Sequence, residues 1–135
     1  MSNKVSDLER WTQERCIRFV DECLNAKIDI RITHTLRTMD EQRHLYAQGR
    51  SLPGNVVTNA EPGSSPHNFG MAFDICFEGK TLAECYPPAS DPRWAQVAAI
   101  GEGLGLAWGG RWKSLKDLPH FERPDWKLAR GVFTA

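Results

Sequence analysis

Apolar residues recur at helical spacing near the start of the chain, at Leu8, Trp11, Cys16, Phe19, Val20, Cys23 and Leu24. This period predicts a helix from about residue 7 to residue 25, with its apolar stripe turned towards the core. Ser6 and Glu9 stand three residues apart just before the stripe, which is the spacing of a capping box. The helix is therefore expected to begin beside Ser6.

The period changes in the next segment, where residues 28–33 alternate isoleucine with polar side chains. That alternation predicts a strand buried on one face. Thr38 and Glu41 have the spacing of a second capping box, so a short helix is expected to follow through Tyr46. Gly49 is a typical residue to end it.

The middle of the chain is divided by turn-forming residues. Residues 50–66 are rich in Pro, Gly and Ser and predict a long loop, which in a small domain is often functional. Residues 71–77 form an apolar, aromatic-rich run that predicts a buried strand. Residues 78–90, which contain a Pro-Pro pair, predict a further loop.

The last third predicts one helix and a pair of strands. Asp91-Pro92 supplies a cap and a first-turn proline for a helix through Leu104. Short strands are expected at residues 106–108 and 120–122. The order of elements predicts one small α+β domain over residues 1–135, with a central mixed or antiparallel sheet flanked by about three helices.

Charge and composition exclude several classes of function. Seventeen Lys and Arg residues balance seventeen Asp and Glu residues, so the chain lacks the basic character of nucleic-acid-binding or polybasic membrane-binding proteins. No stretch approaches the ~18–20 apolar residues of a membrane span. The first residues lack the apolar core of a signal peptide. We therefore expect no nucleic-acid partner, no membrane insertion, and synthesis in a cytoplasm without an export signal.

Asp74 is an anomaly, because a carboxylate within the apolar run 71–77 is costly to bury unless it is paired or bound to a metal. An outward-facing aspartate on one sheet face is the alternative. His67 precedes it at the end of the long loop, and His120 begins a predicted strand just after Asp117. Two histidines and one carboxylate form a known ligand set of catalytic zinc sites, which keep a fourth position open. The HExxH pattern of another zinc peptidase class is absent.

Two motifs make a family resemblance specific. Residues 65–74 read Ser-Pro-His-Asn-Phe-Gly-Met-Ala-Phe-Asp and match SxHxxGxAxD, and residues 117–120 match the partner motif Glu/Asp-x-x-His. Together they resemble the LAS zinc metallopeptidases, which include D-alanyl-D-alanine peptidases, lysostaphin-type enzymes and the hedgehog signalling domain. Residues 36–50 look like the arginine-bearing segment of the VanY-like branch, and residues 105–122 look like phage L-alanyl-D-glutamate endopeptidases. The resemblance implies the fold of the hedgehog and D-Ala-D-Ala peptidase domains.

The resemblance also implies a role for each motif residue. His67, Asp74 and His120 match the ligands of one zinc ion. Asp117 matches the general base, which takes a proton from water and passes it to the leaving amine. Arg37 matches the arginine that faces the substrate carbonyl or carboxylate, where its planar charged group can stabilise an anionic intermediate.

Four further residues have open or no roles at this point. Ser65 either contacts substrate or bonds the local backbone of a turn. Glu122 either supports the metal motif or is an ordinary carboxylate. His34 and His44 match no motif position, and His44 is expected to be a solvated helix residue.

The implied function is a zinc-dependent peptidoglycan hydrolase that cuts the stem peptide between L-Ala and D-Glu. The resemblance implies a phage or prophage endolysin for host-cell lysis, which waits in the cytoplasm and reaches peptidoglycan in the periplasm after release. We expect a monomer without a separate wall-binding domain. The alternatives are a D-Ala-D-Ala carboxypeptidase and a zinc-bearing binding module without catalysis, which the presence of Asp117 disfavours.

Overall fold

A computed structural model of the protein describes residues 1–133, which form five helices and a four-stranded sheet. The helices are α1 (Arg10–Asn25), α2 (Met39–Ala47), α3 (Leu82–Cys85), α4 (Pro92–Gly103) and α5 (Trp126–Phe133). The strands are β1 (Ile30–His34), β2 (Ala72–Phe77), β3 (Ala107–Trp108) and β4 (His120–Glu122). Within residues 1–133, no helix combines the length and apolar character that a bilayer crossing needs.

The sheet has the order β1-β2-β4-β3, and every neighbouring pair is antiparallel. The predicted α+β class is confirmed, and the sheet is antiparallel rather than mixed. Strand β2 lies inside the sheet, so Asp74 has a neighbour on each side. Its partner on β1 is His34, and its partner on β4 is His120. The register alone therefore places three chemically active residues in one row.

The hydrophobic core lies on one face of this sheet. Phe73 of β2 and Phe121 of β4 stack with ring centroids 5.7 Å apart, and Phe19 of α1 meets Phe121 at 4.9 Å. Trp94 of α4 closes the same core against Phe77 at the end of β2. Because side chains alternate along a strand, Asp74 points to the opposite face, away from these rings. The core thus fixes the strand that carries the candidate site.

Helix α1 differs from its prediction at both its start and its stripe. It begins at Arg10, and Glu9 caps it by accepting hydrogen bonds from the backbone of Trp11 and Thr12. The expected capping box at Ser6 is wrong, because residues 5–7 form a separate 3₁₀ turn. Val20 and Leu24 of the predicted stripe are exposed, so only part of that stripe is core. The second capping box, at Thr38 and Glu41, is present as predicted.

Two helices were not predicted from the sequence. The four-residue α3 lies within the segment predicted as a loop, and the Thr81 side chain caps it. Helix α5 follows β4, and its first residue, Trp126, is buried against the Phe69 ring at a centroid distance of 6.4 Å. Helix α5 matters for function, because its residues Trp126 and Lys127 line the cleft that holds the candidate site.

Candidate active site

The histidine of the first motif is positioned by a short, tightly bent segment. Ser65 caps a 3₁₀ turn over Pro66–Phe69, and its hydroxyl accepts a hydrogen bond from the His67 backbone at 3.3 Å. Gly70 ends the turn in the left-handed region, at φ +66°, where other residues are strained. A Cβ on Gly70 would also lie 2.9 Å from the backbone nitrogen of Glu9. The motif glycine therefore lets the chain turn at once into β2 and brings His67 over Asp74.

The three predicted metal ligands meet at one point. His67 Nε2 lies 3.2 Å from Asp74 Oδ1, and His120 Nδ1 lies 3.1 Å from the same oxygen. One candidate ligand atom from each residue lies within 4.8 Å of the other two. Both imidazole rings are buried. Two nitrogens and one carboxylate oxygen thus converge as a bound cation would require.

In each ring the outward nitrogen, the one that faces away from Asp74, already has a hydrogen-bond partner. His67 Nδ1 lies 2.8 Å from the carbonyl oxygen of Thr35, and His120 Nε2 lies 2.7 Å from Glu122 Oε1. Each acceptor holds a proton on the outward nitrogen, which leaves the nitrogen facing Asp74 free to bind a metal. This donor set fits zinc in a catalytic site, with three protein ligands and one open position.

The electrostatics of the cluster favour a cation. Burial alone would raise the pKa of the Asp74 carboxyl, but the surrounding histidines hold it well below its usual value. Burial opposes protonation of His120, yet its hydrogen bonds to Asp74 and Glu122 raise the pKa of the ring to about 10. Protons and metal are therefore expected to compete for this ring.

His34 is a site residue that the sequence analysis missed. Its Nδ1 lies 3.3 Å from Asp74 Oδ2, the carboxylate oxygen that the other two histidines do not contact. The side chain is 42% exposed and lines the cleft. No local motif marks it, because its position depends on the pairing of β1 with β2. His44, by contrast, is exposed on α2, as expected.

Asp117 stands beside the cluster without joining it. Its Oδ2 is 4.0 Å from His120 Nδ1, and its side chain is partly exposed to the cleft. Burial raises the pKa of Asp117 above its usual value, and the nearby Asp74 carboxylate adds to the rise. A raised pKa makes the ionised form a better proton acceptor. This placement suits a general base more than a metal ligand.

Arg37 lies on the link between β1 and α2, held against the first motif. The Arg37 backbone nitrogen donates to the carbonyl oxygen of His67 at 2.9 Å, and the Asn68 side-chain amide donates to the carbonyl oxygen of Arg37. Its Nη1 donates to Gln42, whereas its buried Nε has no hydrogen-bond partner among the described residues. Burial lowers the pKa of Arg37 from its usual value, and neighbouring carboxylates oppose that shift. An unsatisfied buried donor is costly, and Arg37 also lines the cleft, which makes it a candidate substrate contact.

These residues line one cleft of about 640 Å³. Residues 57–60 of the long loop line the cleft, as do Trp112, Ser114, Leu115 and Asp117 of the β3–β4 loop. Ser65 also lines the cleft, although the bond that the structure gives its hydroxyl is the local turn contact. Its contact with substrate stays a prediction. The cleft is large enough for a peptide segment rather than a single small ion.

Comparison with known proteins adds independent information. Residues 58–123 match the sequence profile of a peptidase M15 family described as D-alanyl-D-alanine carboxypeptidase. The chain is 37% identical over 123 residues to the peptidoglycan L-alanyl-D-glutamate endopeptidase CwlK of Bacillus subtilis. The aligned region covers 87% of this chain and 74% of that protein.

Two solved structures show the same fold. The L-Ala D-Glu endopeptidase ChiX of Serratia marcescens matches with a TM-score of 0.60 at 22% identity, over 92% of this chain and 86% of that one. A VanY D,D-pentapeptidase from a VanB-type resistance cassette, solved in complex with Zn(II), matches with a TM-score of 0.58 at 13% identity. That match covers 95% of this chain and 79% of the other.

Proposed function

The chain belongs to the peptidase M15 family, whose members include peptidoglycan-cleaving enzymes, and we propose that it hydrolyses the stem peptide between L-Ala and D-Glu. We further propose that His67, Asp74 and His120 hold one zinc ion for this reaction. The convergence of His67 Nε2 and His120 Nδ1 on one oxygen of Asp74, inside a peptide-sized cleft, carries the proposal. The 37% identity to a peptidoglycan L-alanyl-D-glutamate endopeptidase supports this choice of bond.

The chain's own residues supply the remaining chemistry. Bound zinc would provide a Lewis acid that polarises a peptide carbonyl and eases the deprotonation of water. Asp117, at the rim of the cluster, accepts the proton of the attacking water and delivers it to the leaving amine. Arg37 lines the cleft, and its guanidinium stabilises the oxygen on which negative charge develops. The buried outward hydrogen bonds of both histidines hold the rings still during these steps.

The proposed endopeptidase reaction sets a requirement on the cleft. A stem peptide cut at an internal bond must extend on both sides of the scissile amide, so the proposal requires a cleft that is open on both sides of the cluster. The long loop and the β3–β4 loop both contribute residues to the lining of the cleft. The likeness of residues 105–122 to phage endopeptidases favours a further role in host-cell lysis. All of these residues line one cleft, and we propose that the domain around it is the catalytic domain.

A D-Ala-D-Ala carboxypeptidase is the second candidate, because the family profile carries that description. Such an enzyme must hold a free terminal carboxylate, and Arg37 offers a cation that would serve either reaction. The products distinguish the two. Both candidates share the metal cluster and the general base.

The test is digestion of purified peptidoglycan followed by mass spectrometry of the products. Cleavage as proposed leaves L-Ala on the muramic acid and creates a new amino group on D-Glu. The Asp117→Asn variant and chelator-treated protein serve as controls and should yield neither product. Release of free D-Ala with the L-Ala–D-Glu amide intact would replace the proposal with the carboxypeptidase. No cleavage of any amide would favour the binding module.

A further inference from the structure

Glu122 occupies a position that the proposed chemistry does not yet use. We propose that Glu122 is a positioning residue of the metal centre, whose carboxylate accepts the Nε2–H bond of His120, places the ring's proton on that nitrogen and keeps Nδ1 aimed at the ion. This inference rests on the metal site of the proposed function. It assigns Glu122 an action through His120, although the Glu122 side chain also lines the cleft.

The hydrogen bond is short and protected. His120 Nε2 and Glu122 Oε1 are 2.7 Å apart, and the two side chains are only 4% and 13% exposed. A carboxylate acceptor at that distance, with little water to compete, forms a strong charge-assisted bond to the ring. The bond therefore restricts both the tautomer and the rotation of His120.

The strand itself places the pair. His120 and Glu122 are two residues apart on β4, so they share one face, while Phe121 between them enters the core. The cross-strand neighbours of Glu122 are alanines on both sides, Ala72 of β2 and Ala107 of β3. Small neighbours leave the long side chain room to bend back to the ring. Ala72 is the alanine of the first motif, and this need for a small neighbour beside Glu122 explains a small residue at that position.

The two histidines are supported unequally. The outward nitrogen of His67 meets a neutral carbonyl, that of Thr35, whereas the outward nitrogen of His120 meets an anionic carboxylate. A carboxylate makes an imidazole a stronger electron donor to a metal than a neutral acceptor does. Glu122 is therefore expected to strengthen metal binding as well as to orient the ring.

The same geometry argues against Glu122 as the general base. Its carboxylate lies at Nε2, on the far side of the His120 ring from Nδ1, which faces the cluster. Asp117 instead approaches Nδ1 itself, at 4.0 Å. The two acidic residues of the second motif region thus have separate tasks, proton transfer for Asp117 and ring positioning for Glu122.

Zinc affinity of the purified chain tests this assignment. The dissociation constant is measured by competition with a chromophoric chelator for the wild type, Glu122→Ala and Glu122→Gln. Loss of the partner of a metal-binding histidine typically weakens metal binding by ~10–100-fold, which is the loss expected for Glu122→Ala. Glu122→Gln keeps an oxygen acceptor without the charge and should fall between the alanine variant and the wild type. Glu78→Ala, which removes an exposed glutamate paired with Arg31, is the matched control and should bind zinc normally.

A second readout separates positioning from a general loss of structure. In zinc-loaded wild type, nuclear magnetic resonance should show a slowly exchanging Nε2 proton on His120. That signal should vanish in Glu122→Ala while circular dichroism stays unchanged. Wild-type affinity in both Glu122 variants would overturn the positioning role alone. Failure of the wild type to bind zinc would instead overturn the metal site on which the inference rests.

Discussion

Replacing Gly109 with alanine should displace the proposed general base without removing any functional group. Gly109 follows β3, and its carbonyl oxygen accepts hydrogen bonds from Trp112 and from Asp117, which close the β3–β4 loop. A Cβ on Gly109 would overlap the carbonyl oxygen of Asp117 and lie 3.1 Å from the Cβ of His120. The loop must give way, and ordinary contact distance requires the Asp117 carbonyl to move by about 1 Å.

A shift of this size has a large kinetic effect. A displacement of ~1 Å in a catalytic group can cost ~10²-fold in rate, so kcat/KM on a defined muropeptide should fall by about that factor. Overpacking of this kind costs ~1–3 kcal/mol of folding free energy, which urea unfolding would report. Zinc content should be unchanged, because no candidate ligand is removed. The assay is therefore kcat/KM measured together with zinc content and the free energy of unfolding.

Gly103→Ala is the matched control. Gly103 closes α4, and a Cβ there would meet nothing within 4 Å among the described residues. Its activity and zinc content should equal those of the wild type. Wild-type kcat/KM in Gly109→Ala would refute the reasoning that this loop positions Asp117. Loss of zinc from the same variant would show that the displacement reaches His120 as well.

Three other predictions concern single residues of the site. Asp117→Asn should keep its zinc and its fold but lose peptidoglycan hydrolysis by ~10²–10⁴-fold, and loss of zinc instead would make Asp117 a ligand. Arg37→Lys should lower kcat/KM clearly, because lysine keeps the charge without the planar guanidinium, and wild-type turnover would remove Arg37 from the mechanism. In the metal-free protein the histidines depress the pKa of Asp74, so its stabilising effect is complete above the ordinary value of 3.8 and is lost as pH falls through the lower folded-state value. Urea unfolding between ~pH 5 and ~pH 2 should therefore show a steeper loss of stability in the wild type than in Asp74→Asn, and parallel curves would contradict this.

The sequence was sufficient for features that depend on short spacing. The Phe73–Ile75–Phe77 alternation fixes which face of β2 enters the core, and Asp74 falls on the other face. The turn before it is equally local, since a serine cap and a left-handed glycine are visible in the motif. The alternative of an outward-facing Asp74 is partly right, because the residue does leave the core face. The structure differs in that the histidines cover it.

His34 could not be found in this way, because its place depends on an irregularity in strand pairing. Ile32 pairs with Ile75, yet the register shifts over the next residues so that His34, rather than Thr33, stands opposite Asp74. A β-bulge of this kind redirects a side chain, and residue periodicity alone does not reveal it. Without the shift, Thr33 would occupy the position beside the carboxylate.

The sequence analysis also did not predict the start of α1 or helix α5, because both depend on contacts between residues far apart in the chain. Ser6 is the more usual cap residue. The choice of Glu9 follows from packing of the first turn, where the Glu9 backbone nitrogen donates to the Gly70 carbonyl oxygen. Helix α5 is short, and its burial depends on Trp126 meeting Phe69. Sequence patterns report local preference, whereas these outcomes follow from tertiary contacts.

The metal centre itself can be located directly by X-ray diffraction from crystals of zinc-loaded protein, with data collected on both sides of the zinc absorption edge. We expect one anomalous difference peak within bonding distance of His67 Nε2, Asp74 Oδ1 and His120 Nδ1. Glu122 and His34 should contact those ligands but not the ion. A peak bonded to a different set of residues, or no peak in this cleft at saturating zinc, would contradict the account.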